Sequence, residues 1–227
     1  MARKRLGIIS GSGPDAGVQL WETLVQRARE TIGARYRGDI DAPYVAIISD
    51  PVLGYSMDLQ THEQLVTEHL GEALLTIDKQ ADVYAIACVT LHALLPKLDT
   101  IKRKGRLISV TDSIVSYAKK KSLRSVGVIS AESLPREKSV LLQRLSEFLR
   151  IEVPSDPKGV HELVMDIKRL GGQDQSVVSR FRELVNSLNS ETVILACTDL
   201  PLVKTRFEDR KLINCTELIA DSLIEYW

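Results

Sequence analysis

Two cysteines carry the strongest chemical signal in this chain of 227 residues. Cys88 ends the apolar run Val83 to Cys88, and Cys197 ends the run Val193 to Cys197; each stands immediately before a segment with helical character. One buried cysteine packs like any small hydrophobe. Two at matched strand ends form a pair. A thiol beside the free N–H groups of a following helix is stabilised as thiolate, which brings its pKa toward working pH. Inversion of a carbon centre needs a base on one face to remove a proton and an acid on the other to return one. Opposed thiols meet that requirement, so the pair points to racemisation or epimerisation.

Neighbouring residues extend the site. Thr90 and Thr198 follow the cysteines, where a hydroxyl is expected to cap a helix or to bind a carboxylate. Asp199 is able to accept from an ammonium group, or to sit exposed in the first turn of a helix. His92 lies close by, in a supporting position. The run Ser10-Gly11-Ser12-Gly13-Pro14-Asp15-Ala16-Gly17 opens a helix after the first strand, and its amides are placed to hold a carboxylate. It lacks the Gly-Lys-Ser/Thr of a Walker loop and the glycine spacing of a dinucleotide fold.

These residues need a scaffold with two equivalent halves, and the chain repeats itself in order. Gly7-Ile8-Ile9-Ser10 matches Gly127-Val128-Ile129-Ser130; Ala87-Cys88 matches Ala196-Cys197; Leu107-Ile108-x-x-Thr111-Asp112-x-Ile114 matches Leu212-Ile213-x-x-Thr216-Glu217-x-Ile219. Cys215 pairs in this repeat with Val110, so an apolar side chain suffices there and Cys215 reads as core. Short β-branched runs alternate with helical patterns such as Val66, Leu70, Ala73, Leu74 and Ile77, the signature of α/β architecture with parallel sheets and crossover helices. We expect two pseudo-symmetric lobes, each a mainly parallel sheet flanked by helices, with the active site in the cleft between them. Residues 1–104 with 208–227 are expected to form one lobe and 105–207 the other.

Thirty basic and thirty acidic side chains leave no net charge, which disfavours nucleic acid and anionic membranes as partners. No apolar run reaches the length of a membrane span. Three cysteines without CxxC spacing argue against a zinc site or disulfide framework and fit a reducing cytoplasm.

The motifs Gly7-Ile8-Ile9-Ser10-Gly11-Ser12-Gly13-Pro14-Asp15-Ala16, Ala87-Cys88-Val89-Thr90-Leu91-His92 and Ala196-Cys197-Thr198-Asp199-Leu200-Pro201 resemble those of the aspartate/glutamate racemase superfamily, closest to its aspartate branch. The resemblance spans nearly the whole chain. It implies a pyridoxal-independent two-base reaction on aspartate or a related small acidic amino acid, with no cofactor and no metal, in an enzyme that is often a homodimer. Position by position, it implies Cys88 and Cys197 as the acid/base pair, Thr90 and Thr198 as substrate ligands, and Ser12 and Gly13 in the anion-holding loop. Asp199 would take the ammonium and Lys168 a carboxylate.

Three departures stand out. Val89 replaces an Asn; the stretch Pro51 to Ser56 lacks the Arg of a Pro-Asp-Arg segment; Ala131-Glu132-Ser133-Leu134 replaces a Thr-x-Gly-Thr turn. A same-fold decarboxylase or cis–trans isomerase working through one cysteine, or a catalytically weak small-molecule-binding homologue, fits the same motifs.

Overall fold

The computed structural model describes residues 3–131 and 139–227. Strands β1 (Leu6–Ser10), β2 (Val45–Ser49), β3 (Val83–Ile86) and β4 (Arg106–Ile108) form one sheet in the order β2-β1-β3-β4. Strands β5 (Ser125–Ile129), β6 (Arg150–Glu152), β7 (Thr192–Leu195) and β8 (Lys211–Asn214) form another in the order β6-β5-β7-β8. Every pairing is parallel. The two orders are the same, so the internal repeat read in the sequence is a repeat of topology: two lobes of α/β structure.

Helices α1 (Pro14–Ile32), α2 (Leu59–Ile77), α3 (Val110–Lys120), α4 (Val140–Ser146), α5 (Pro157–Leu170), α6 (Gln175–Asn186) and α7 (Cys215–Ile224) cover the sheets. The matched helices α3 and α7 start from matched caps, since Ser109 accepts from the Asp112 amide at 3.2 Å and Asn214 from the Thr216 amide at 2.8 Å. Gly7 and Gly127 also recur for a common reason. A Cβ on Gly7 would lie 2.7 Å from Ile77, and one on Gly127 2.9 Å from Leu188, so in each half the segment entering the next strand presses on the central strand.

The lobe boundaries differ from those expected. Arg106–Ile108 pairs with β3 and stays in the first sheet; Lys211–Asn214 pairs with β7 and stays in the second. The crossings therefore fall one strand later than residues 105 and 208, because in each half the strand after the cysteine completes its own sheet. The last helix, α7, packs on α1 and on α3. A continuous core then joins the halves, with Leu6, Ile8, Val83 and Ala85 of one sheet clustered with Val126, Val128 and Ile194 of the other through Leu20, Ile114 and Ile219. The outer face of each sheet has a separate core.

Burial on both faces holds for β1 and β3 but not for the edge strand β2, where Ile47 is 41% exposed. Strand β6 was not expected: Arg-Ile-Glu has no apolar run and forms by pairing at the edge of β5. Among the described residues, no helix is long and apolar enough to cross a membrane.

Candidate active site

Both cysteines lie two residues beyond matched central strands, as their positions in the repeat require. The Thr198 hydroxyl donates to the Ala87 carbonyl at 2.9 Å, so the residue after one cysteine is bonded across the lobe boundary to the residue before the other. The sulfurs bear electrostatically on each other, and Lys168 feels both. Cys88 is 7% and Cys197 8% exposed, which shuts them off from bulk water.

Their surroundings differ. The Cys88 thiol donates to Ser12 Oγ at 3.3 Å, Ser12 and Ser56 share a hydrogen bond of 2.6 Å, and Ser56 Oγ lies 3.9 Å from the same sulfur. Cys197 instead meets a carboxylate, with its thiol 3.8 Å from Asp199 Oδ2, and that oxygen lies 2.7 Å from Lys168 Nζ. Lys168 reaches the pair from the last turn of α5. Asp199 Oδ1, the other oxygen of that carboxylate, is buried without a hydrogen-bond partner among the described residues.

Charge follows this geometry. Burial, and then the Asp199 carboxylate, push the Cys197 thiol well above its usual range; the Asp199 amide and Lys168 pull the other way without prevailing. The expectation that helix N–H groups would favour a Cys197 thiolate is therefore corrected. Only a short 3-10 turn, Leu200–Leu202, follows this cysteine, and one amide does not offset burial beside a carboxylate. Burial also pushes Asp199 up, with Lys168 opposing. For Lys168 burial acts downward, but Asp199 and the two thiols outweigh it and hold the ammonium above its ordinary pKa. A Cys197 that keeps its proton through neutral pH should resist iodoacetamide at pH 7 and react only as the solution passes to the alkaline side of the ordinary thiol range. Peptide mass spectrometry after pulsed labelling at pH 7 and pH 10 reads this directly, and rapid labelling of Cys197 at pH 7 contradicts it.

The remaining expectations resolve one at a time. Thr90 and Thr198 do not cap helices. The 3-10 segments after the cysteines begin from Val89 and Asp199 without a side-chain cap, and both threonine hydroxyls cross to the other lobe, Thr90 to the Ala131 carbonyl at 3.5 Å. Asp199 is 3% exposed, not a solvent-facing first-turn acid, because Lys168 holds it inside. The Ser12 hydroxyl is turned to Cys88 and Ser56. His92 bridges: its Nδ1 lies 2.9 Å from the Cys88 carbonyl, while Nε2 accepts from the Val110 amide at 3.3 Å, which makes Nδ1 the protonated nitrogen. Burial lowers its pKa, in keeping with a neutral ring. Cys215 is core, pushed up to about 12 by burial. In the replaced turn, Ala131 is buried and Glu132 to Leu134 lie outside the described residues.

Gly13 has φ +91°, and a Cβ there would stand 2.1 Å from Asp199 Oδ1 and 3.0 Å from Lys168 Nζ. The loop of the first lobe thus presses on the ion pair of the second. Gly13→Ala combines left-handed strain with a clash against the Asp199 carboxylate, and should cost about 1–3 kcal/mol, about 3–10 °C of melting temperature for a chain of this size. Calorimetry checks it; an unchanged melting temperature would mean that the loop is not pressed against the pair.

A cavity of about 280 Å³ opens beside the site, between Val89, Leu95 and Pro96 of one lobe and Ala131, Val140 and Leu141 of the other. Neither thiol lines it. No three His, Cys, Asp or Glu side chains gather as a metal site among the described residues.

The family model for Asp/Glu/Hydantoin racemase matches residues 9–223. The chain belongs to the Asp/Glu/hydantoin racemase family. Solved structures agree on the fold. Aspartate racemase from Picrophilus torridus superposes with a TM-score of 0.83 at 19% identity, covering 97% of this chain and 93% of that one. An aspartate racemase homologue from Pyrococcus horikoshii gives 0.72 at 20% identity, with 98% of each chain covered. Glutamate racemase from Francisella tularensis, in complex with D-glutamate, gives 0.70 at 18% identity over 98% and 80%. No curated protein matches the chain in sequence. For this racemase-family chain, the residues that sequence reasoning missed are Ser56, noted only for the absence of an Arg nearby, and the direct pairing of Lys168 with Asp199. Neither contact leaves a spacing signal, since each joins segments far apart in the chain.

Proposed function

We propose that this chain racemises a small α-amino acid, with Cys88 and Cys197 exchanging protons with opposite faces of the α-carbon. The observation that carries the reading is the placement of two thiols at equivalent stations of two lobes, beside one buried ion pair. An arriving zwitterion would divide that pair: its ammonium takes Asp199 and its carboxylate takes Lys168, so neither buried charge is left alone. As one thiolate removes the α-proton, negative charge flows into the carboxylate, where the Lys168 ammonium stabilises it in a site closed to water. The other thiol returns a proton from the opposite face. The resemblance, through Lys168 and Asp199, points to aspartate or a similarly small acidic amino acid as the substrate.

The test is exchange of the α-hydrogen in deuterated water, followed by NMR and chiral chromatography, with no pyridoxal phosphate added. Deuterium entering both enantiomers alongside inversion supports the proposal. No exchange with any acidic or neutral amino acid of either hand sinks it. The inequality of the thiols, one beside hydroxyls and one beside a carboxylate, favours a second reading in which a single cysteine protonates or attacks the substrate, as in a decarboxylase or cis–trans isomerase.

A further inference from the structure

Ser56 is completely buried, and its hydroxyl meets Ser12 at 2.6 Å and the Cys88 sulfur at 3.9 Å. It sits in the 3-10 segment Pro51–Asp58, while Ser12 belongs to the loop after β1, so two separate elements converge on one sulfur. Two buried hydroxyls are costly unless hydrogen-bonded, and these bond to each other and to the thiol. We infer that Ser56 is a positioning residue for Cys88, acting through Ser12 in a hydroxyl chain that reverses direction each time the sulfur gains or loses its proton.

The reversal follows from the donor inventory. A hydroxyl donates once and accepts twice. While Cys88 is a thiol, its S–H points to Ser12 and the Ser12 hydroxyl points to Ser56. When the S–H bond breaks and the proton moves to the substrate carbon, the sulfur needs a donor instead. Ser12 then turns its O–H to the thiolate, and Ser56 turns its own O–H to the oxygen of Ser12. Each hydroxyl keeps its proton throughout. Without Ser56, the Ser12 oxygen has no donor in the thiolate state and its O–H has no second acceptor in the thiol state, so the chain loses both settings. Cys197 has no such chain among the described residues; its partner is the fixed carboxylate of Asp199. The other ionisable groups that bear on Cys88 are Cys197 and Lys168 across the cleft and Cys215 at the start of α7. The Asp50–His69 pair, at 2.7 Å, lies behind the same 3-10 segment, whose first turn Asp50 caps.

The role of Cys88 in racemisation rests on the proposed function; the hydroxyl chain is tested without substrate. The full chain is treated with iodoacetamide at pH 7.5 to read alkylation of Cys88, and at pH 10, where Cys197 reacts as well, to read Cys197 as the control. Loss of one hydrogen bond to a thiolate lowers its population about tenfold, and because a less stabilised thiolate is also more nucleophilic, the rate falls about threefold. We expect that slowing at Cys88 in Ser56→Ala, no change at Cys197, and a combined loss in Ser12→Ala/Ser56→Ala well below the product of the two single losses, since Ser56 acts chiefly through Ser12 and its own contact with the sulfur is long. Ser56→Cys, which trades a strong donor for a weak one at similar volume, should give an intermediate rate and serves if the alanine variant does not fold. Wild-type alkylation of Cys88 in Ser56→Ala or Ser56→Cys, or losses that multiply in the double variant, overturns the inference. If alkylation behaves as expected but no amino acid exchanges its α-hydrogen, the racemase reading has failed and the hydroxyl chain stands.

Discussion

Cys88→Ala and Cys197→Ala should each lower the rate of inversion by about a thousandfold, within the range that one general acid or base contributes. The two losses should be similar, because inversion uses both faces in either direction and removing one partner stops the full cycle whichever it is. Exchange should behave differently. The enantiomer whose α-hydrogen faces the surviving thiol retains a base, so it should still take up deuterium with retention of configuration, while the other enantiomer should not. The surviving activity therefore has opposite handedness in the two variants. Chiral chromatography of deuterated product resolves this. Full activity in either variant would assign the chemistry to one thiol and move the chain to the one-cysteine reading. Stability should change little, since a cysteine side chain exceeds alanine by one sulfur, and a melt run beside the assay confirms that lost turnover is not lost fold.

That prediction depends on an equivalence already readable in the amino-acid string. The repeat of Gly7 to Ser10 with Gly127 to Ser130, and of Ala87-Cys88 with Ala196-Cys197, placed both thiols at matched stations because strand ends in parallel sheets are fixed by local pattern. The same logic put Cys215 in the core. What local pattern does not encode is the partner chosen across the cleft. Thr90 and Thr198 read as caps or carboxylate ligands because those are the local uses of a hydroxyl after a strand; the 3-10 segments that follow begin without a side-chain cap, and the hydroxyls went to carbonyls of the opposite lobe. Around the expected boundaries, Lys102 to Arg106 and Phe207 to Lys211 lack an apolar pattern and read as linkers, yet a three- or four-residue strand begins at the end of each and joins the sheet it leaves. Lys168 and Asp199 were each legible, one through resemblance and one beside Cys197. Their pairing at 2.7 Å was not, since α5 and the segment after β7 meet only in the folded lobe.

The pair gives the largest expected effect on stability. Lys168→Met leaves the Asp199 carboxylate, with a side chain only 4% exposed, without its cation. Breaking a buried ion pair by removing one partner costs about 3–5 kcal/mol, about 10 °C of melting temperature in a chain of this length. The cost should depend on pH with a definite sign. Burial already pushes the Asp199 carboxyl above its ordinary value with Lys168 opposing, and removing Lys168 raises it further. A carboxyl whose folded pKa exceeds its unfolded one destabilises the fold progressively as pH rises from the unfolded value, about 3.9, to the folded one. Lys168→Met should accordingly lie close to wild type near pH 4 and fall furthest behind at neutral pH. The wild-type Lys168 contribution, carried by a raised ammonium pKa, should persist until the solution passes the ordinary lysine range on the alkaline side. Adding Asp199→Asn removes the stranded charge, so Lys168→Met/Asp199→Asn should recover most of the loss, a strongly non-additive cycle. Urea melts of the four proteins at pH 4 and pH 7.5 decide it. An equal deficit at both values, or a double variant that simply sums the two losses, would mean that Lys168 stabilises the lobe by packing its methylene stem and not by holding Asp199 ionised inside the cleft.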